Sequence, residues 1–182
     1  MKFFRLLLLP GLLFFAASCD KDDDDKAPSK AAQLTAVTWR QNTSSLIING
    51  VEGTQTTAPA NADSYKFSSD GKVVLTEANG TVTNGTWSLA NNDSQITVTL
   101  SGQPQITQEI FVLTANSFSF GSKFTQAQVQ AALNGQPVPG VPNGLITLYL
   151  LSAGGFTFPP NTPTISPNQI TSLQVRSNLV PR

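Results

Sequence analysis

The sequence predicts an all-β protein, an antiparallel meander that closes into a barrel or folds into a two-sheet sandwich. Three observations predict it. Apolar and polar residues alternate with a period of two from Trp39 onward, as they do on a strand with one dry face. Turn-forming dipeptides fall between the alternating runs, and the runs recur at roughly the 8–12-residue spacing of sandwiches and barrels.

Taken in chain order, the first element is not part of the fold. Lys2 and Arg5 precede an apolar run from Leu6 to Ala17 that Pro10 and Gly11 interrupt. About a dozen apolar residues are too few for a membrane span, which needs about 20, so residues 1–18 read as a secretory signal peptide. The small residues Ala16, Ala17 and Ser18 lead directly into Cys19, the only cysteine of the chain. That arrangement resembles the lipobox of bacterial lipoproteins, with Ala16 where the usual Leu stands. The resemblance implies that Cys19 carries acyl chains such as palmitate and anchors the protein to a membrane. Two or more chains anchor stably where one short chain holds only marginally.

Residues 19–30 then form an acidic tether. Asp20, Lys21, Asp22, Asp23, Asp24 and Asp25 include five carboxylates and no apolar side chain, so repulsion keeps the run extended and solvated. An acidic run just after a lipidated Cys also resembles the export signal that sends lipoproteins of the Bacteroidota to the outer face of the outer membrane. The expected location is therefore the outer membrane, at the cell surface or on the periplasmic face. A plain solvated spacer remains the alternative.

Residues 31–182 read as one domain. Ser29 caps a short helix from Lys30 to Val37, with Leu34 and Val37 on one face. Strands follow: Tyr65 and Phe67, Trp87 and Leu89, then Ile96, Val98 and Leu100, and finally Phe118 and Phe120 each alternate with polar neighbours. Asp70-Gly71 and Asn79-Gly80 are dipeptides of the type I′ hairpin turn, and Asn91-Asn92-Asp93 and Ser101-Gly102 mark further turns. Thr125 and Gln128 form a capping box with Phe124 and Val129 as its staple, and Gly135 ends a helix of about 126–134. The extension over 136–182 is proline-rich. Within it, Leu145 to Leu151 reads as a buried strand and Ile170 to Val175 as a last strand, joined by an irregular connection through Pro159, Pro160, Pro163 and Pro167.

Three of these runs, taken together, resemble a known family. An opening LTAVTW (Leu34 to Trp39), a central YKFSSDGK (Tyr65 to Lys72) and a GTWSL (Gly85 to Leu89) leading through a polar turn into ITVTL (Ile96 to Leu100) are similar to the lipocalin-like domains of Bacteroidota lipoproteins. The similarity covers 34–120. It implies an antiparallel barrel with an apolar inner face.

Composition excludes much chemistry. The 182 residues contain no His and one Cys, so imidazole bases, His-ligated metals and intrachain disulfides are absent. Charged residues make up 12% and the formal net charge is zero, which provides no basic footprint for nucleic acid. The acids after the tether are Glu52, Asp63, Asp70, Glu77, Asp93 and Glu109. Asp70 and Asp93 serve turns, and Glu109 should point outward because Ile110 and Val112 fall on the other face. A hydrolase would need two carboxylates facing one another at about 5–9.5 Å, so Asp63 and Glu109 would have to share a cleft. No enzyme activity, cofactor or metal is expected; the flexible Asp run lacks the loop geometry that fixes Ca²⁺.

Trp39, Tyr65, Phe67, Trp87, Leu89, Phe118 and Phe120 are the candidate cavity residues. They would line a pocket for a small apolar ligand or simply fill the barrel, whose interior is just wide enough at eight strands to be filled by side chains. The alternative function is an interaction module that contacts an envelope protein or glycan over a packed, unliganded core. A dry, fully packed interior would exclude a ligand, whereas a pocket of about 300 Å³ or more with a mouth would favour one.

Overall fold

The computed structural model describes residues 27–182, which places the signal peptide, Cys19 and Asp20 to Asp25 outside the described residues. Helix α1 (Lys30–Ala36) leads into β1 (Trp39–Ile48), β2 (Val51–Thr56), β3 (Ser64–Phe67), β4 (Lys72–Thr76), β5 (Val82–Ala90), β6 (Gln95–Leu100), β7 (Ile106–Leu113) and β8 (Phe118–Thr125). Helices α2 (Gln126–Leu133) and α3 (Leu145–Leu151) follow, and β9 (Ser172–Pro181) ends the chain. All strand pairs are antiparallel, and eight strands form a closed barrel in the order β1-β3-β4-β5-β6-β7-β8-β9, with β9 returning to β1.

Strand β1 has three neighbours. Its first residues pair with β3 (Trp39 opposite Tyr65, Arg40 opposite Ser64), its last six pair with β2, and its other edge runs along β9. A bulge between Gln41 and Thr43 marks the crossing from one partner to the next, as bulges bend strands at barrel rims. The hairpin β1–β2 turns on Asn49 and Gly50, with φ of 51° and 84°, the positive pair that a type I′ turn requires. The turns at Asp70-Gly71 and Asn79-Gly80 differ from the sequence expectation, because only the glycines have positive φ. Gly71 N–H donates to the Ser68 carbonyl and Gly80 N–H to that of Glu77, so each is a longer turn closing on a left-handed glycine.

Helix α1 lies across one end of the barrel. The Ser29 hydroxyl caps it by accepting from the Ala32 N–H at 3.1 Å, and Leu34 is fully buried. Lys30 Nζ donates to the Asp93 carbonyl in the β5–β6 turn at 2.9 Å, and Lys66 Nζ on β3 donates to the Thr35 carbonyl at 3.4 Å. The helix is thereby tied to both sides of the end that it covers.

The inner face of β8, β9 and β1 carries two apolar cores in succession. In the barrel, Phe118 pairs with Leu179, and both pack with Leu34, Trp39, Phe67 and Val73. Further along the same face, Phe124 pairs with Leu173, and these pack with Leu46, Ile48, Val129 and Ile146. Ser44 and Ser177, paired across β1 and β9, stand between the two.

The second core is built by the extension, where several expectations are corrected. Residues 145–151 form helix α3 and not a strand, so two helices occupy this region where one was expected. A short continuous apolar run fits either a strand or a buried helix, and Gly144 at φ 78° starts the helix without a side-chain cap. The last strand begins at Ser172 and continues to Pro181, past the expected Val175. The capping box of α2 forms as expected: the Thr125 hydroxyl accepts from the Gln128 N–H, and Gln128 Oε1 accepts from the Thr125 N–H at 2.9 Å. The proline-rich connection is irregular, with short 3-10 turns. Thr157 bridges to Thr54 on β2, and the Phe158 ring lies over Gly53.

Candidate ligand cavity

Barrel closure turns the alternating aromatics inward, where they pack on one another. Phe118 stacks on Phe120 at 4.8 Å between centroids and meets Trp39 edge-on at 5.6 Å; Phe67 meets Trp87 edge-on at 5.5 Å. The indole N–H of Trp87 donates to the Ser68 carbonyl at 3.0 Å, and that of Trp39 to Leu34 at 2.9 Å. Both tryptophans therefore have their polar atom satisfied by backbone at the end near α1.

Towards the other end the packing is incomplete and leaves a cavity of about 220 Å³. Tyr65, Phe67, Phe118 and Phe120 line it. Trp39, Trp87 and Leu89 belong to the same apolar cluster but do not line the cavity. Its opposite wall comes from Leu75, Ile96, Val98 and Leu100, with Ile106 and Gln108 from β7. The alternation of Ile96, Val98 and Leu100 is visible in the sequence as an inward face; sequence reasoning that favoured aromatics passed them over.

Register explains the mouth. Val98 pairs with Ile106, and Ile96 with Gln108, so Ile106 and Gln108 share the inward face. Yet Ile106 is 43% exposed. It forms the rim beside Gln103 and Pro104 of the β6–β7 turn, which also border the cavity. The volume lies below the range of about 300–1,000 Å³ typical of ligand sites, but it exceeds the roughly 150 Å³ of an engineered apolar cavity that accepts benzene.

The polar groups at the cavity are few and uncharged. The Tyr65 hydroxyl is pushed up to about 12, first by burial and then by the negative charges of Asp63 and Glu77. It is a protonated hydroxyl throughout the physiological range. Gln103 and Gln108 are the remaining polar side chains in the lining, which contains no ionisable carboxylate, lysine or arginine. Such a cavity suits a neutral ligand, since a buried charge without a partner is costly.

The carboxylates do not converge. Asp63 Oδ1 accepts from the Ala78 N–H at 3.0 Å, whereas Glu109 points outward and pairs with Lys123 at 2.9 Å. The outward direction of Glu109 agrees with its sequence reading; that of Val112 does not. A register shift between Ile110 and Val112 turns Val112 to the outside, where it is 42% exposed. Among the described residues no group of three or more His, Cys, Asp or Glu is placed to hold a metal ion.

Residues 33–120 match the family model of the lipocalin-like domain. The match ends within β8, before the extension and β9. No curated protein and no solved structure matches the chain.

Proposed function

We propose that this lipocalin-like barrel is a noncatalytic carrier for a small, neutral, largely apolar molecule, held at the bacterial outer membrane by acyl chains on Cys19. The observation that carries the binding reading is the cavity of about 220 Å³, which has an apolar wall, an exposed Ile106 at its rim and no charge in its lining. Its size favours one ring or a short branched chain over a long fatty acid. Tyr65 and Gln108 supply a hydroxyl and a carboxamide that orient one polar group of the ligand.

Native mass spectrometry of the protein isolated from its own host tests the binding reading. A neutral small molecule that co-purifies and is released on denaturation is the expected result. An empty protein whose melting temperature does not respond to indole or toluene would overturn it. For the anchor, the sole Cys19 after Ala16-Ala17-Ser18 and the Asp20 to Asp25 run support the reading. Cys19→Ala should yield a protein recovered in the soluble fraction or as uncleaved precursor. Palmitate incorporation that persists in this variant would refute lipidation at Cys19.

A second reading, an interaction module for an envelope protein or glycan, is favoured by one surface. Helix α3 exposes Leu148 at 60% and Leu151 at 78%, and no charged residue occurs between Lys123 and Arg176. Substituting both leucines with Ser should abolish envelope pull-down if this surface makes the contact, and leave ligand occupancy unchanged.

A further inference from the structure

Only three arginines follow the tether, and two of them, Arg40 and Arg182, lie together on the outer face of the barrel. Arg40 stands on β1 opposite Ser64 of β3 and Val180 of β9. Arg182 follows β9, with its backbone N–H on the Thr38 carbonyl at 2.9 Å. Both side chains line a cleft of about 370 Å³ between the β2–β3 connection and the β4–β5 turn.

Two like charges in one cleft repel each other unless a counter-charge joins them. Among the described residues, neither arginine has an ion-pair partner, the two ion pairs being Lys72 with Asp70 and Lys123 with Glu109. Two acids stand at this cleft, each hydrogen-bonded to a residue of the β4–β5 turn. Asp63 Oδ1 accepts from the Ala78 N–H at 3.0 Å, and Glu77 Oε2, at the cleft's edge, accepts from Asn79 Nδ2 at 3.3 Å. Arg40 Nε is buried and has no hydrogen-bond partner, although a buried donor normally finds one. Arg182 Nη1 is 3.5 Å from the Ser64 hydroxyl, which is itself buried.

We propose that this cleft binds the carboxylate of a small organic acid. The Arg40 guanidinium would take one or both carboxylate oxygens through its two terminal nitrogens, end-on, as guanidinium groups do in bidentate pairs. Arg182 and the Ser64 hydroxyl would supply the remaining donors. Glu77 lines the cleft as well and offsets part of the charge of the two arginines. Pro59, Ala60 and Ala62 form an apolar wall for a short aliphatic body. The site is separate from the barrel cavity and shares no lining residue with it.

Amide shifts of the ¹⁵N-labelled full chain, followed during titration with sodium butyrate at ionic strength held constant with sodium chloride, test the proposal. Saturable shifts at Ser64, Ala78 and Gly80 are expected. Arg182→Gln should weaken binding at least tenfold, Arg40→Lys should weaken it while retaining the charge, and Glu77→Gln should strengthen it. Ile106→Trp, which obstructs the barrel cavity, should leave these shifts unchanged. That arm separates this site from the cavity: if butyrate shifts vanish with Ile106→Trp, the ligand sits in the barrel and the cleft proposal fails. Linear shifts without saturation, or saturation indifferent to Arg182→Gln, would also overturn it.

Discussion

The indole Nε1 of Trp39 donates to the carbonyl oxygen of Leu34 at 2.9 Å, and both side chains are completely buried. One hydrogen bond thus joins the first barrel strand to the helix covering the barrel's end. Trp39→Phe retains an aromatic filler, removes the donor and leaves the carbonyl without this partner. The expected loss is about 2 kcal/mol, from an unsatisfied buried group and a smaller side chain. Urea unfolding measures it; a midpoint unchanged from the parent would show that α1 is held by other contacts.

Ile106 offers a way to close the cavity without disturbing its deeper wall. It is 43% exposed at the rim, so Ile106→Trp can place its added bulk over the mouth with little overpacking. Binding of an apolar probe such as indole should fall at least tenfold in a fluorescence displacement assay, with the melting temperature nearly unchanged. Undiminished probe binding would move the site away from this mouth.

Tyr65 makes stability depend on pH in the alkaline range. Its hydroxyl is raised from 10.0 to about 12, chiefly by burial, so the unfolded chain releases this proton at a lower pH than the folded protein. The neutral phenol's contribution is present in full below pH 10 and is lost as pH rises from there towards 12. Tyr149 is raised as well, by burial alone. Phenolate absorbance near 295 nm should therefore lag behind that of free tyrosine. Tyr65→Phe should flatten the decline in stability between pH 10 and 12; an unaltered slope would assign that decline to another group.

Gly53 and Phe158 give a local test of the extension. A Cβ built on Gly53 would come within 2.6 Å of the Phe158 ring, so Gly53→Ala should displace the ring from β2. Chymotryptic cleavage after Phe156 should accelerate, whereas the near-ultraviolet signal of the barrel tryptophans should persist. Unchanged cleavage kinetics would mean that the Thr54–Thr157 bridge alone holds the segment.

Much of the barrel was legible in the sequence because its information is local. Tyr65 and Phe67, or Ile96 and Val98, declare an inner face through period-two alternation, and the capping box of Thr125 and Gln128 declares a helix start. Strand β2 was not legible: its sequence VEGTQT buries only Gly53, so it presents almost no apolar alternation. Its hairpin signal, Asn49-Gly50, lay between runs that were not otherwise read as paired. Leu145 to Leu151 carries no polar residue except Thr147, and without alternation its period is ambiguous. The extent of β9 is set by pairing with β8 and β1, more than forty positions away in sequence, which no local pattern encodes. Only four of the seven candidate residues reached the cavity, for the same reason. Alternation gives the face a side chain takes, while the height at which packing fails depends on strand tilt and on Trp39 and Trp87 being drawn towards α1.

Because β1 touches β3, β2 and β9 at once, the stretch 33–120 that matches the family model cannot be excised as a self-sufficient cask. A cut at Phe120 would take away half of one stave and the whole of the next, leaving β1 and β7 with bare edges ready to join a neighbouring molecule. The extension is therefore no ornament hung on a finished vessel: the chain must travel out through its proline-rich detour and come home before the seam is sealed.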